Sequence, residues 1–274
     1  MIIKKVAKHK LIFQKRLQQK NTLQSISKIE NNTLQLVLKA FKLAKNNSFS
    51  KEDITAFKRC EAYRDTLINN DSIINYEIFG INDTATVSEI CNKAASKQKW
   101  CHFLYNIAKE LTKATVLEIG TNLGISGTYL LEAIKGKNSF FTTMEGLPQL
   151  CEIASKQFET ITTPDNFKVV QGLYDITFPE VMKNERKYNL IFIDGNHKKE
   201  PTLQYFNVIK LNIKSPAIFV FDDIYWSDAM KDAWSIIKND PSVNFTIDLY
   251  EQGIVIIDTN ENIKNKHFSL HLSY

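Results

Sequence analysis

The feature that most constrains this chain is a change of rhythm at residue 114. From there on, short runs rich in β-branched and aromatic residues, at 115–119, 140–145, 168–171, 190–194 and 217–222, are separated by stretches long enough to form helices. Strands alternating with helix-sized spacers specify a parallel sheet with crossover helices on its faces. The last two runs, 245–250 and 254–258, depart from that pattern, because only Glu251, Gln252 and Gly253 lie between them. Three residues cannot carry a parallel crossover, so the final strand is expected to return antiparallel. The expected fold class is therefore α/β, with seven strands of which the last is reversed.

Before residue 114 the apolar residues recur at helical spacing, as in Leu34, Val37, Leu38, Phe41 and Ala44, and again in Trp100, Phe103, Leu104, Ile107 and Leu111. Ser50 followed by Asp53 is a capping-box start for one of these helices, because the serine oxygen can accept an orphan amide of the first turn. A short extended piece at 74–80 interrupts them. The expected organisation is an N-terminal helical extension over 1–113, a sheet domain over 114–259 and a polar C-terminal tail over 260–274.

No apolar run reaches the roughly 18 residues that a membrane span requires, and no signal-peptide core follows the basic start. Lys4, Lys5, Lys8, Lys10, Lys15, Arg16 and Lys20 are expected on the solvated face of a helix. A net charge of +5 argues only weakly for a polyanionic partner such as nucleic acid. Cys60, Cys91, Cys101 and Cys151 show neither paired nor zinc-type spacing, which fits reduced thiols in a cytoplasmic protein.

After the first strand comes Glu118-Ile119-Gly120-Thr121-Asn122-Leu123-Gly124. Glycines there permit a tight turn and let a ligand approach backbone amides. A dinucleotide fingerprint would place glycines at 118, 120 and 123, but Glu118 and Leu123 stand at the first and last of these. Glu145, followed by Gly146, ends the second strand, where a carboxylate can accept both hydroxyls of a ribose.

The spacing Glu-x-Gly-x-x-x-Gly resembles the first motif of S-adenosylmethionine-dependent methyltransferases. The strings LEIGTNLGISGTYL, TTMEGLP, IFIDGNHKKEPTLQYF, FVFDDIYWSDAMKDAW and TIDLYEQGIVI are similar, in this order, to those of bacterial class I enzymes marked by an Ile-Asp-Gly-x-His motif. Tyr63-Arg64 and residues 77–80 resemble the leader of the same family. The resemblance implies a Rossmann-like seven-stranded methyltransferase sheet with an antiparallel last strand. It also implies S-adenosylmethionine held by Glu118, Gly120, Thr121, Gly124, Glu145, Gly146 and Asp194, with Tyr174 and Asp175 near the adenine.

The fourth and fifth strands end in Asp194-Gly195-Asn196-His197 and Asp222-Asp223. Carboxylates gathered on one rim repel, so they call for a hard cation, hydrogen bonds or raised pKa values. The arrangement is similar to catechol-type O-methyltransferases, in which acids after these strands hold magnesium. Likeness to them implies that Asp194, Asp222 and Asp223 bind Mg²⁺ or another divalent cation, although Asp223 stands where that family usually has Asn. His197 lies where those enzymes carry a lysine base. It and Asp194 are the expected catalytic residues, and a histidine that caps the next helix or bonds Asp222 is the competing role. Tyr225 and Trp226 either wall an acceptor pocket or simply pack.

The expected activity is O-methyl transfer to a small-molecule acceptor. An amine or nucleic-acid N-methyltransferase is disfavoured by the absence of proline between Ile193 and His197. A non-catalytic adenosine-binding assembly protein is the other alternative. The helical leader is expected either to cover the site or to build a homodimer.

Overall fold

The computed structural model describes residues 2–273, with side chains from residue 9 onward, so those of Lys4, Lys5 and Lys8 lie outside it. In chain order, α1 (Ile2–Ser27), α2 (Asn32–Asn46) and α3 (Lys51–Ile68) precede a hairpin of β1 (Ile73–Asn75) and β2 (Thr84–Thr86), then α4 (Val87–Ala94) and α5 (Gln98–Glu110). Next come β3 (Thr115–Ile119), α6 (Ile125–Ile134), β4 (Phe140–Glu145), α7 (Pro148–Glu159), β5 (Phe167–Gln171), α8 (Tyr174–Lys183) and β6 (Tyr188–Ile193). The chain closes with α9 (Lys199–Ile209), β7 (Ile213–Phe221), α10 (Asp228–Lys238), β8 (Phe245–Asp248), β9 (Gly253–Ile257) and β10 (Lys266–Ser269).

The chain forms two compact units, residues 43–188 and residues 1–42 with 189–274. Neither follows the boundary at 113/114 expected from the change of rhythm. The reason within 43–188 is packing: α3 and α5 both lie against α6, the helix that follows the first central strand. Nine of the thirteen α5 residues are buried, among them Trp100, Phe103, Leu104 and Ile107, as the helical spacing predicts. Polar contacts fix α3 in place. Arg59 donates twice to Glu132, at 2.7 and 2.6 Å, and the Tyr129 hydroxyl donates to Glu61 at 2.7 Å. The capping box is present as read, since the Asp53 amide donates to the Ser50 hydroxyl and the Ser50 amide returns a bond to Asp53.

In this unit β4 runs parallel to both β3 and β5, with Leu117 opposite Thr142 and Met144 opposite Val170. Residues of β3 and β4 are buried almost throughout, the continuous pattern of strands covered on both faces. The other unit holds the expected reversal. There β9 is antiparallel to both β7 and β8, and residues 249–252 make the tight connection. The tail over 260–274 has structure the sequence did not reveal, because Lys266–Ser269 pairs parallel with β8. Lys15 of α1 is a second departure: it is 3% exposed and forms an ion pair with Asp248 at 2.7 Å instead of joining a solvated face. All four cysteines are buried. Among the described residues no helix is long and apolar enough to cross a membrane.

Candidate functional site

In the unit spanning 43–188 the first cluster surrounds the turn from β3 into α6. Gly120 and Gly124 take positive φ values of 108° and 73°, and Asn122 takes 49°, so the chain reverses within five residues. Gly124 is required twice over. A Cβ there would also lie 2.8 Å from that of Ala154 and 3.0 Å from the Phe158 ring.

The turn's amides are occupied. Those of Gly120 and Thr121 donate to the Met144 carbonyl, Asn122 to Glu145 at 2.8 Å, Leu123 to the Asn122 side chain and Gly124 to the Thr121 carbonyl. A phosphate nest would need such amides unengaged. The Tyr63 hydroxyl, from α3, donates to the Leu123 carbonyl at 2.6 Å, which ties the helical leader to the turn.

Glu118 has no exposed surface. Its two oxygens accept the hydroxyls of Ser126 and Thr143, both at 2.6 Å, and Thr143 bonds onward to Thr121 at 2.5 Å. Burial lifts its carboxyl to about 7. Glu118 thus braces the turn from beneath.

Glu145 ends β4 and is 7% exposed. Its oxygens accept the amides of Asn122 at 2.8 Å and Leu147 at 3.0 Å. Burial raises its pKa, and the bonds from Leu147, Asn122 and Gly146 oppose that shift. Tyr174 is half-buried and its hydroxyl lies 3.4 Å from the Met144 carbonyl, whereas Asp175 is exposed. Beside Glu145 stands an element the sequence reading left without a role. The turn at Glu77–Phe79, at the tip of the β1–β2 hairpin, brings the Phe79 ring within 2.8 Å of where a Cβ on Gly146 would sit.

The second cluster lies in the unit formed by 1–42 and 189–274, past the ends of β6 and β7. The Asp222 amide donates to the Ile193 carbonyl at 2.9 Å, which sets the two strand ends side by side. Asp222 accepts the buried Gln252 amide at 3.0 Å and shares a hydrogen bond with Asp194. Burial and the neighbouring Asp223 lift the Asp222 carboxyl to about 7, and the bonds from Gln252 and Asp194 oppose that rise.

His197 Nε2 lies 3.7 Å from Asp194 Oδ1. Burial lowers its pKa while Asp223 pulls the other way, which leaves a neutral imidazole near pH 7. The hydroxyl of Tyr225 donates to Asp248 at 2.7 Å and its ring stacks on Tyr250, with centroids 4.9 Å apart. Trp226 is exposed and Trp234 packs over Gly253. Among the described residues no group of three or more His, Cys, Asp and Glu side chains stands placed to hold a metal ion.

Residues 117–224 match a family described as Methyltransferase domain. A protein of Mycobacterium sp. (strain JLS), named provisionally as an O-methyltransferase, is 29% identical over 100 residues, which are 36% of this chain and 44% of that protein. The chain thus spans less than half the length of that curated relative. Among solved structures, the O-methyltransferase from Bacillus cereus in complex with SAH is 18% identical with a TM-score of 0.53, over 66% of this chain and 89% of that one. The SAH-bound Podospora anserina methyltransferase PaMTH1 is 16% identical with a TM-score of 0.51, over 77% and 96%. The chain shares their α/β fold.

Proposed function

We infer that the chain is an S-adenosylmethionine-dependent methyltransferase that delivers the methyl group to an oxygen of a small-molecule acceptor. The observation that carries this reading is Glu145, a buried carboxylate held at a strand end by two amides, one of them from the glycine turn. A carboxylate fixed in this way presents its remaining lone pairs to a vicinal diol, and the occupied amides of the turn suit a ligand without phosphate.

S-adenosylmethionine supplies a methyl group on a sulfonium, transferred by in-line displacement. The residues of the chain align and deprotonate. In this reading Glu145 holds the ribose, the turn at Gly120, Thr121 and Gly124 lines the methionine portion, and Gly146, Tyr174 and Asp175 border the base. Glu118 acts through Thr143 and Thr121 to hold the turn. Asp194 takes part in holding the cofactor and orients His197, whose neutral imidazole takes the acceptor's proton. Asp222 and Asp223 shape the acceptor rim. No step here is routed through a metal.

The test is calorimetric titration with S-adenosylhomocysteine. Glu145→Ala removes two charge-assisted bonds of roughly 1.5–3 kcal/mol each, so affinity should fall at least about 100-fold. Glu145→Gln, which keeps the shape, should show an intermediate loss. Unchanged affinity in both variants overturns the ribose assignment. For the base, His197→Ala should retain S-adenosylhomocysteine affinity and lose turnover against a panel of phenol and alcohol acceptors.

A further inference from the structure

We propose that Phe79, at the tip of the β1–β2 hairpin, is a cofactor-binding residue whose ring packs on the adenine, with Gly146 and Leu173 completing the base site. This rests on the methyltransferase reading and adds to it a residue outside the catalytic strands.

Three observations carry it. The first is the place of the ring. A Cβ on Gly146 would lie 2.8 Å from both Cε1 and Cζ of Phe79 and 4.0 Å from Leu173 Cδ2. The three residues therefore meet beside Glu145, the group assigned to the ribose. Gly146 has no side chain because the Phe79 ring occupies that space.

The second is the anchoring of the hairpin. The Asn75 amide donates to the Gln149 side chain at 2.9 Å, and Gln149 returns a bond to the Ile73 carbonyl at 3.1 Å. Ile74 is buried, and the hairpin pairs Ile73 with Thr86 and Asn75 with Thr84. Its tip turns on Gly80, at φ 71°. The base is thus fixed to α7 directly past the Glu145–Gly146 corner. Tyr76 is close enough to Glu145 that the carboxylate, after burial and Asp83, helps raise its phenol pKa.

The third is exposure. Phe79 is 44% exposed, and Ile78 and Ile81 on the same tip are 42% and 52% exposed. A pinned turn that keeps an aromatic ring half in solvent beside a candidate ligand carboxylate has not used that ring for its own core. A purine is the flat apolar surface such a ring takes, and stacking of a base on an aromatic side chain contributes about 1–3 kcal/mol.

The experiment titrates the full chain with S-adenosylhomocysteine and with 5′-methylthioadenosine, which has the base and ribose but no amino acid. Phe79→Ala should weaken both ligands by the same factor, on the order of 10-fold, with the ligand-free melting temperature unchanged. Phe79→Trp should restore affinity, and its added fluorescence, measured against the parent's three tryptophans, should change on saturation with ligand. Gly146→Ala, which drives a methyl into the ring, should lose both ligands as Phe79→Ala does. If the parent protein binds neither ligand, the methyltransferase reading itself fails. If the parent binds both and Phe79→Ala binds them equally well, or Phe79→Trp gives no signal, Phe79 is not in the base site.

Discussion

Glu118→Gln isolates the electrostatic state of the turn from β3 into α6. Glu118 is fully buried and its carboxyl is raised from 4.5 to about 7, chiefly by loss of solvent, with the Ser126 and Thr143 bonds opposing and Glu145 adding to the rise. A folded-state pKa above the unfolded one means that the native chain binds the extra proton. Stability from this group is therefore complete below about pH 4.5 and is lost as pH rises through about 7. The interval corresponds to about 3 kcal/mol at roughly 1.4 kcal/mol per pH unit.

Gln fits the same frame, because the Thr143 hydroxyl can turn to accept its amide while still donating to Thr121. Asp222, also lifted to about 7, adds a dependence of the same sign in the parent protein, and His102 opposes both. It is buried, stacked 4.0 Å from Phe57 and lowered to about 4 from 6.5, so its contribution is present above about pH 6.5 and lost as pH falls towards about 4. The acid and histidine dependences oppose each other over nearly the same range. Only the difference between variant and parent exposes Glu118. Urea unfolding at constant ionic strength should show Glu118→Gln gaining up to about 3 kcal/mol on the parent between about pH 5 and pH 8. Parallel stability curves across that range would refute the raised carboxyl.

Gly124→Ala places a methyl 2.8 Å from Ala154 at a φ of 73° and should cost roughly 2–4 kcal/mol in the same assay. Lys15→Met strands Asp248 beneath Tyr225 and Tyr250 and should cost roughly 3–5 kcal/mol, with the loss reduced in Asp248→Asn/Lys15→Met. Tyr63→Phe frees the Leu123 carbonyl and should cost about 1 kcal/mol, with a parallel loss of S-adenosylhomocysteine affinity in calorimetry. Because Asp194 and Asp222 share a hydrogen bond, EDTA or millimolar Mg²⁺ should leave the melting temperature unchanged. A rise with Mg²⁺ would restore the cation to that rim.

Most of the strands were legible in the sequence because β3, β4, β6, β8 and β9 are buried almost throughout and stand between turns. The reversal at β9 was legible from loop length alone. Lys266–Ser269 was not, because Phe268 is its one apolar residue and it borrows its order from β8. Lys15 was misread for a related reason: its partner Asp248 lies 233 residues away, and no local pattern announces a buried pair. Glu118 and Glu145 could be placed by position after a strand, but burial and bonding separate their roles. The hairpin carried one signal, the string at 77–80, and only tertiary structure brings Phe79 to Gly146.

Backbone strain joins these pieces. Of the six non-glycine residues with positive φ among the described residues, Asn122, Asn196, Asp223 and Tyr250 each lie within a few positions of the carboxyl end of a strand, after β3, β6, β7 and β8. Asn and Asp tolerate the left-handed region at little cost, and Asp223 at φ 53° therefore has a conformational reason for its short polar side chain apart from any metal. Tyrosine has no such tolerance. At φ 77°, Tyr250 is held by its amide on Asp248 and by the Tyr225 stack, both resting on the buried Lys15 pair. Strained turns survive where surrounding contacts over-determine them, and they concentrate where a chain positions groups for a ligand. The costliest of these turns is secured by a side chain from the first helix, so the N-terminal segment helps to hold the loop that follows β8.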